Sequence, residues 1–207
     1  QKECSQREHA AQKEGPQQAE EHKKRVAIGD KSVLHRYENI EENPVISAIV
    51  TVAEETAKGI MKYEFQSISG DLLPEWHAGA HLDIVIAPEF LRQYSMSGDP
   101  ADRSKYQIVV LREDDGRGGS KLMHRVFTKG RHVFFSQPIN HFALNHNATK
   151  TLLMGGGIGI TPLIAMAHEL YARKAAFELH YSGRNRETMG LLSLNLIQVD
   201  QNIPLIK

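Results

Sequence analysis

With 207 residues, 41% of them hydrophobic, the chain is long enough for one large domain or two modest ones with a hydrophobic core. It carries 25 acidic and 25 basic side chains, and this formal charge of zero argues against nucleic acid and against an acidic membrane surface as partners. Because no apolar run reaches membrane-spanning length and no signal peptide is recognisable, we expect a soluble, cytoplasmic protein.

Residues 1–43 form a polar segment that we expect to be a tail or a linker. Residues 1–25 contain no Val, Ile, Leu, Met or aromatic residue and cannot bury a hydrophobic face. The same stretch holds the only cysteine of the chain, Cys4. One thiol excludes a disulfide framework, and it excludes an iron–sulfur cluster ligated by this chain alone, since such a cluster needs about four thiolates.

From residue 44 to residue 146 the hydrophobic pattern has a period of two, which predicts an antiparallel β-barrel or sandwich. Turn signals rich in Gly, Asp and Pro separate the strands. We expect one helix inside this region, at residues 120–128, opened by a glycine pair. The predicted strands lie at residues 45–53, 61–65, 82–86, 106–112 and 131–136.

Residues 147–207 are predicted to begin a parallel α/β nucleotide-binding domain. Strands are expected at residues 151–154 and 177–181, with a glycine loop and a helix between them. We expect Thr161 to be the N-cap of this helix, Pro162 to lie in its first turn, and the helix to end near Lys174. The residues that follow are too few to complete such a sheet.

The first candidate site motif is Arg92-Gln93-Tyr94-Ser95, on a predicted strand. Alternate residues of a strand share a face, so Arg92 and Tyr94 point one way and Ser95 the other unless the strand bends. The functional interpretation is an arginine on a phosphate, a tyrosine packed on a flavin ring and a serine at the ring edge. The alternative is a surface arginine, a tyrosine at the core edge and a turn serine.

Two glycine loops are each followed by a predicted helix, which aims backbone N–H groups at a phosphate. In Arg117-Gly118-Gly119-Ser120 the arginine adds a cation, although a hairpin with a helix cap is the alternative. The second loop fits neither G-x-G-x-x-G nor a P-loop. It still predicts a pyrophosphate site, with a tight strand-to-helix turn as the alternative; it reads Gly155-Gly156-Gly157-Ile158-Gly159-Ile160-Thr161-Pro162.

The histidines of the chain show no consistent ligand spacing. His77 and His81 are four positions apart, but Gly79 lies between them and His81 begins a predicted strand, so we do not expect the two rings to converge. We therefore predict no metal site.

The order and spacing of these motifs resemble the ferredoxin-reductase superfamily. More narrowly, they resemble the phthalate dioxygenase reductase type, the oxygenase reductases that carry FMN. The resemblance covers roughly residues 45–184. It runs from Gly79-Ala80-His81 through residues 92–103 and 117–120 to Gly155–Pro162 and His180-Tyr181-Ser182.

The resemblance implies a flavin-binding antiparallel β-barrel at residues 44–146 and a truncated parallel α/β domain that binds NADH at residues 147–207. It implies that Ser95, near the hydride-accepting N5 of the flavin, and Thr161, close to the flavin, are the catalytic residues. The other flavin-binding residues would be Arg92, Gln93, Tyr94, Val110, Leu111, Arg117, Gly118, Gly119 and Ser120. The NADH site would comprise Gly155, Gly156, Gly157, Ile158, Gly159, Thr161 and Pro162.

We therefore expect an NADH-oxidising reductase that passes electrons through FMN to an iron–sulfur protein or an oxygenase component. FAD is the alternative flavin, although the block after Ser97 offers no obvious aromatic residue for an adenine. NADPH is the alternative nucleotide. Arg184 and Arg186 follow the second α/β strand, where a 2′-phosphate would bind, but solvated surface arginines explain them equally well.

Two departures from the family pattern bear on activity. The chain has no C-x4-C-x2-C motif of a plant-type ferredoxin domain, and after residue 184 it loses the α/β pattern. We expect a fragment, a truncated gene product or one piece of a fusion. The second hypothesis is consequently a flavin-binding module without turnover.

Overall fold

A computed structural model of the chain describes residues 45–88, 90–183 and 189. The expectations about the polar segment of residues 1–43, about Cys4, and about Arg184 and Arg186 lie outside the described residues. In the described part, no helix is both long enough and apolar enough to span a membrane.

Seven strands form one antiparallel sheet: β1 (Ile46–Ala57), β2 (Ile60–Ser67), β3 (Ala80–Ala87), β4 (Phe90–Ser95), β5 (Tyr106–Leu111), β6 (His132–Phe135) and β7 (Ile139–Asn140). Their order across the sheet is β4-β3-β6-β1-β2-β5, with β7 beside β3. Between the two ends of this path, the backbone pairing among the described residues is an isolated bridge from Met96, just after β4, to Ile108 in β5. The predicted antiparallel architecture is confirmed, as a barrel-like sheet that does not close.

The inside of this sheet is filled by side chains. Burial alternates along β3, whose even-numbered residues are buried, as the period of two predicts. Aromatic rings pack at the centre: the ring centroid of Phe65 lies 5.4 Å from that of Phe135 and 6.5 Å from that of Tyr63. Each buried side chain of this size contributes about 1.5–3 kcal/mol. Because the interior is packed, a ligand must bind at the rim or outside.

Helix α1 (Gly119–Val126) covers one end of the sheet. The hydroxyl of Tyr63 donates to the carbonyl of Met123 (3.4 Å), and His124 donates from Nε2 to the carbonyl of Val110 (2.9 Å). These bonds tie the helix to β2 and β5. The predicted helix is present, although it begins one residue earlier and ends two residues earlier than expected.

The remaining elements form a small parallel α/β unit. Strands β8 (Thr151–Gly156) and β9 (Phe177–Ser182) pair in parallel, with Thr151 opposite Phe177. A 3-10 turn (Gly157–Ile160) and helix α2 (Thr161–Ala172) connect them. This arrangement agrees with the predicted start of an α/β domain. On the outer side of β8, Leu152 and Met154 are 56% and 72% exposed.

The prediction that Thr161 is the N-cap of α2 is wrong. The 3-10 turn runs directly into the helix, so Ile160 occupies the cap position and Thr161 already has helical backbone angles (φ −53°, ψ −51°). Its hydroxyl donates backwards to the carbonyl of Ile158 (3.0 Å) instead of accepting from a helix N–H. Pro162 lies in the first turn, as predicted.

We predict that the protein loses stability at acid pH, because two partly buried histidines resist protonation in the folded state. Burial lowers the pKa of His168, partly offset by Asp99, and burial lowers the pKa of His124, partly offset by its bond to Val110. Below about pH 6.5 the unfolded state therefore binds more protons than the folded state, so the free energy of unfolding falls as the pH drops. Above that pH both histidines are neutral in both states, and this loss of stability is absent. We expect a lower urea midpoint at about pH 5.5 than at about pH 7.5.

The variant His168→Gln tests this assignment, because it removes a titrating side chain whose Nε2 is buried with no hydrogen-bond partner among the described residues. Its urea midpoint should change less between the two pH values than that of the unmodified chain. An identical pH dependence in both proteins would contradict the assignment to His168.

Candidate functional site

One cleft brings the three predicted motifs together. It has a volume of about 420 Å³ and lies between β4, β5, the start of α1 and the 3-10 turn before α2. This volume is within the range of small-ligand pockets. All predicted site residues line it except Gly118, Gly155, Gly156 and Gly157.

Two residues of the cleft wall, Val109 and Glu113, were not among the predicted site residues. Val109 precedes the predicted pair Val110-Leu111 on β5. Glu113 lies between that strand and the first glycine loop. This position is the one feature of the sequence that could have indicated that Glu113 lines the cleft. Its carboxylate places a negative charge on a wall that otherwise carries Arg92 and Arg117.

Arg92 provides a cation on the wall formed by β4. Its guanidinium lies over the ring of Phe90, 5.1 Å from the ring centroid, and its Nη1 donates to the carbonyl of Leu91 (2.7 Å). Its remaining donors leave it able to bind an anion such as phosphate.

The start of α1 lies directly against Arg92. Gly118 has a φ of 87°, a left-handed conformation that favours glycine. A Cβ on Gly119 would lie 2.9 Å from Nε of Arg92, so a side chain at this position would crowd the arginine. Among the described residues no side chain caps the helix, which leaves the first N–H groups of α1 and its positive dipole end beside the arginine. Together they form an anion-binding corner.

Ser120 and Arg117 complete this corner in different ways. The Ser120 hydroxyl accepts a hydrogen bond from the backbone N–H of Glu113 (3.1 Å), which closes the loop between β5 and α1. The proton of that hydroxyl is still available for donation to a ligand. Arg117 is exposed at the rim of the cleft.

Tyr94 provides a flat, uncharged surface. Burial raises its pKa to about 12, with Arg92 lowering it and Glu113 raising it. The phenol is therefore neutral at any physiological pH, and an aromatic ligand can pack on it without desolvating a charge.

All four residues of the β4 motif line the cleft, so Ser95 is not turned away from Arg92 and Tyr94 as a straight strand would require. Gln93 and Ser95 also line a second hollow of about 210 Å³ that His81, His141 and neighbouring residues enclose. The rings of His81 and His141 lie 5.7 Å apart. In the described part of the chain, no group of three or more His, Cys, Asp or Glu side chains is arranged to hold a metal ion.

The opposite wall of the cleft consists of Ile158, Gly159, Thr161 and Pro162, from the 3-10 turn and the start of α2. The side chain of Thr161 is largely buried, and its hydroxyl is engaged with Ile158, which leaves its oxygen able to accept a bond from a ligand. Ser95 and Tyr94 line the same cleft as this wall.

The glycines of the second loop serve different purposes. A Cβ on Gly155 would lie 3.0 Å from Cα of Ile160 and 2.8 Å from its Cδ1, so this glycine allows β8 to pack closely against the turn. Gly157 has a φ of +52°, and no heavy atom of the described residues lies within 4 Å of the position that a Cβ would take at Gly157 or at Gly159. Gly155 therefore has a packing role, whereas Gly157 and Gly159 leave open space, Gly159 on the cleft wall and Gly157 just outside it.

Comparisons with known proteins agree with this architecture. No protein-family model matches the chain. It is similar to the vanillate O-demethylase oxidoreductase of Pseudomonas sp. (strain HR199 / DSM 7063), with 41% identity over 143 residues, covering 69% of this chain and 45% of the relative. It is also similar to the phthalate 4,5-dioxygenase oxygenase reductase subunit of Pseudomonas putida, with 40% identity over 139 residues, covering 67% of this chain and 43% of the relative.

Among solved structures, the chain resembles phthalate dioxygenase reductase, described as a modular structure for electron transfer from pyridine nucleotides to [2Fe-2S]. The identity is 34% and the TM-score 0.69, and the match covers 71% of this chain and 46% of that one. The chain thus spans less than half the length of these relatives, which are reductase components of oxygenase systems. By its sequence, its open antiparallel sheet and its small parallel α/β unit, the chain belongs to the phthalate dioxygenase reductase type within the ferredoxin-reductase superfamily.

Proposed function

We propose that the chain binds FMN and NADH side by side and is the hydride-transfer part of a cytoplasmic reductase that supplies an iron–sulfur protein or an oxygenase component. The observation that carries the proposal is the single cleft in which a cation, an uncapped helix start, a neutral aromatic surface and the turn before α2 converge. The relatives support it, since one is described as transferring electrons from pyridine nucleotides to [2Fe-2S].

The residues of the cleft fit a flavin mononucleotide. Its phosphate would be held by Arg92 and by the N–H groups at the start of α1, where Gly119 leaves no side chain in the way. The ring would pack on Tyr94 beside Val110 and Leu111. When bound, the flavin accepts a hydride and releases its electrons one at a time, which is chemistry that no side chain supplies.

The chain's own residues orient the two ligands and exclude water. Ser95 follows Tyr94 on β4 and lines the cleft, where its hydroxyl would lie near the edge of the flavin ring. Thr161 and the backbone of Gly159 form the opposite wall, where the nicotinamide would bind. Holding two rings in contact is worth far more than any single contact, because it removes the entropy cost of their encounter.

The proposal takes FMN as the flavin, with FAD as the alternative, and the segment after β4 supports this choice. Asp99 accepts a hydrogen bond from the N–H of Ala101 (2.9 Å), and Asp102 accepts one from the N–H of Ser104 (3.0 Å). These hydrogen bonds close two local turns, and residues 97–105 contain no aromatic side chain on which an adenine could stack. In this proposal residues 44–146 form the flavin domain and residues 147–207 form part of the nicotinamide domain.

The second candidate function is a flavin-binding module without turnover. The observation that favours it is that the described part of the parallel sheet contains only β8 and β9. Such a module would use the same anion-binding corner and the same tyrosine, but its nicotinamide wall would be too incomplete to hold NADH.

The decisive experiment is a visible spectrum of the purified chain under anaerobic conditions, with FMN or FAD added, before and after NADH. Bound flavin that bleaches supports the reductase. Bound flavin that remains yellow favours the module without turnover. A chain that binds neither flavin contradicts both, and NADPH in a parallel sample tests the preference for NADH.

A further inference from the structure

We propose that Glu169 is a positioning residue that fixes α2 against the antiparallel sheet and thereby holds the turn-side wall of the cleft in place. The inference rests on the proposed function for its kinetic consequence, but its structural part stands on contacts outside the cleft. Glu169 lines neither of the two hollows described above.

The central contact is a hydrogen bond across the two parts of the fold. Oε2 of Glu169 accepts from the backbone N–H of Ala78 at 3.1 Å, although the two residues are 91 positions apart. Ala78 is 1% exposed and the Glu169 side chain 15% exposed, so water cannot easily replace the carboxylate. Leaving a buried N–H without an acceptor lowers the free energy of unfolding, so this bond strongly constrains where α2 packs against the sheet.

The other carboxylate oxygen contacts the loop before β8 and the end of α2. Oε1 of Glu169 lies 3.6 Å from Nδ1 of His146 in that loop and 3.9 Å from Nη1 of Arg173, and Arg173 also donates to His146. These contacts orient the side chain, so that Oε2 is directed to the N–H of Ala78.

Close packing surrounds the bond. Gly79, the neighbour of Ala78, has a φ of +95°, and a Cβ at this position would overlap the carbonyl oxygen of Phe142 (1.9 Å) and lie 3.1 Å from Cε of Met166 on α2. The interface has no room for a side chain at residue 79. A small displacement of α2 therefore changes contacts on several sides at once.

Rigid elements connect this bond to both walls of the cleft. Towards the sheet, Ala78 leads into β3, and the carbonyl of Ala80 accepts from the N–H of Met96 (2.9 Å), the residue that follows Ser95. Towards the turn, Glu169 and Thr161 share α2, and lie roughly 12 Å apart along its axis at about 1.5 Å per residue. The bond thus sets the separation between the Ser95 wall and the Thr161 wall.

The test compares Glu169→Ala with Glu169→Gln, which keeps an oxygen acceptor at the same reach. The control is Glu178→Ala, which removes an exposed carboxylate of β9 that pairs with Lys150. Three quantities are measured for each protein: hydrogen exchange at the Ala78 amide, the FMN dissociation constant, and the rate of flavin bleaching at saturating NADH. Far-UV circular dichroism checks that each variant is folded.

For Glu169→Ala we expect loss of protection at the Ala78 amide, an FMN dissociation constant within about twofold of the original, and a bleaching rate lower by about ten- to a hundredfold. Glu169→Gln should retain protection and most of the rate, and Glu178→Ala should change neither. If Glu169→Ala does not fold, Glu169→Asp, one methylene shorter, replaces it with the same expected direction.

Two results would overturn the proposal: an Ala78 amide that stays protected in Glu169→Ala, or lost protection with an unchanged bleaching rate. A chain that binds no flavin at all would instead refute the proposed function. In that case hydrogen exchange at Ala78 and at the amides of residues 158–161 still decides whether Glu169 holds the wall.

Discussion

Replacing Arg92 by alanine is expected to raise the FMN dissociation constant by about ten- to a hundredfold, since it removes a charge-assisted phosphate contact worth about 1.5–3 kcal/mol. The guanidinium lies beside the uncapped start of α1, so the cation and the helix dipole act on the same anion. A titration followed by the quenching of flavin fluorescence measures the change. Raising the salt concentration should weaken FMN binding more in the original chain than in the variant.

Two further variants separate charge from geometry. Arg92→Lys keeps the positive charge but loses the planar fork of donors, and it should give an intermediate affinity. Arg125→Ala removes an exposed arginine of α1 that does not line the cleft and should leave the affinity unchanged. If Arg92→Ala binds FMN as tightly as the original chain, Arg92 is a surface residue and the anion-binding corner is assigned wrongly.

Gly157→Val is expected to abolish or strongly weaken the response to NADH while sparing FMN. Gly157 has a left-handed backbone, and the space beside it is open, so a branched side chain both strains the turn and fills the volume a dinucleotide needs. We expect the NADH concentration for half-maximal bleaching to rise by at least about tenfold, a loss of about 1.4 kcal/mol. The FMN dissociation constant should not change, because Gly157 does not line the cleft itself.

A matched control exists at Gly130, which also has a positive φ (+89°) and no heavy atom within 4 Å of a Cβ position, but follows α1 instead of β8. Gly130→Val carries the same kind of backbone strain away from the turn-side wall. It should lower the urea midpoint without changing the response to NADH. If Gly157→Val loses FMN and NADH to the same degree, the substitution unfolds the chain, and the assignment of this glycine fails.

Local patterns predicted much of the fold. The alternation of β3 and the strand that begins at Thr151 depend mainly on burial period and on glycine punctuation, which neighbouring residues reveal. The predicted end of that strand at Met154 was two residues short, because Gly155 and Gly156 belong to β8 and not to the loop. The position of the Thr161 cap was wrong because a short 3-10 turn before the helix leaves no residue in the extended cap conformation, and the sequence does not distinguish such a turn from a loop.

The candidate site was predictable where it consists of contiguous motifs and not where it depends on tertiary contacts. Residues 92–95 and 117–120 are recognisable as short sequence motifs, and in the structure both motifs contribute residues to one cleft. The packing role of Gly155 depends on Ile160, and the bond from Ala78 to Glu169 joins residues 91 positions apart. No local pattern contains such information, because it arises only when the sheet and α2 meet.

The construction of the cleft from two walls links ligand binding to the cooperativity of unfolding. One wall belongs to the antiparallel sheet and α1, the other to the turn and α2, and the buried side chains of both parts join in one hydrophobic cluster. A ligand that contacts both walls adds its binding free energy to their association, by an amount that grows with ligand concentration over its dissociation constant. The two parts should consequently unfold more cooperatively as the cleft fills with ligand. The shape of the calorimetric unfolding transition would then measure the fraction of cleft that is occupied, without a chromophore.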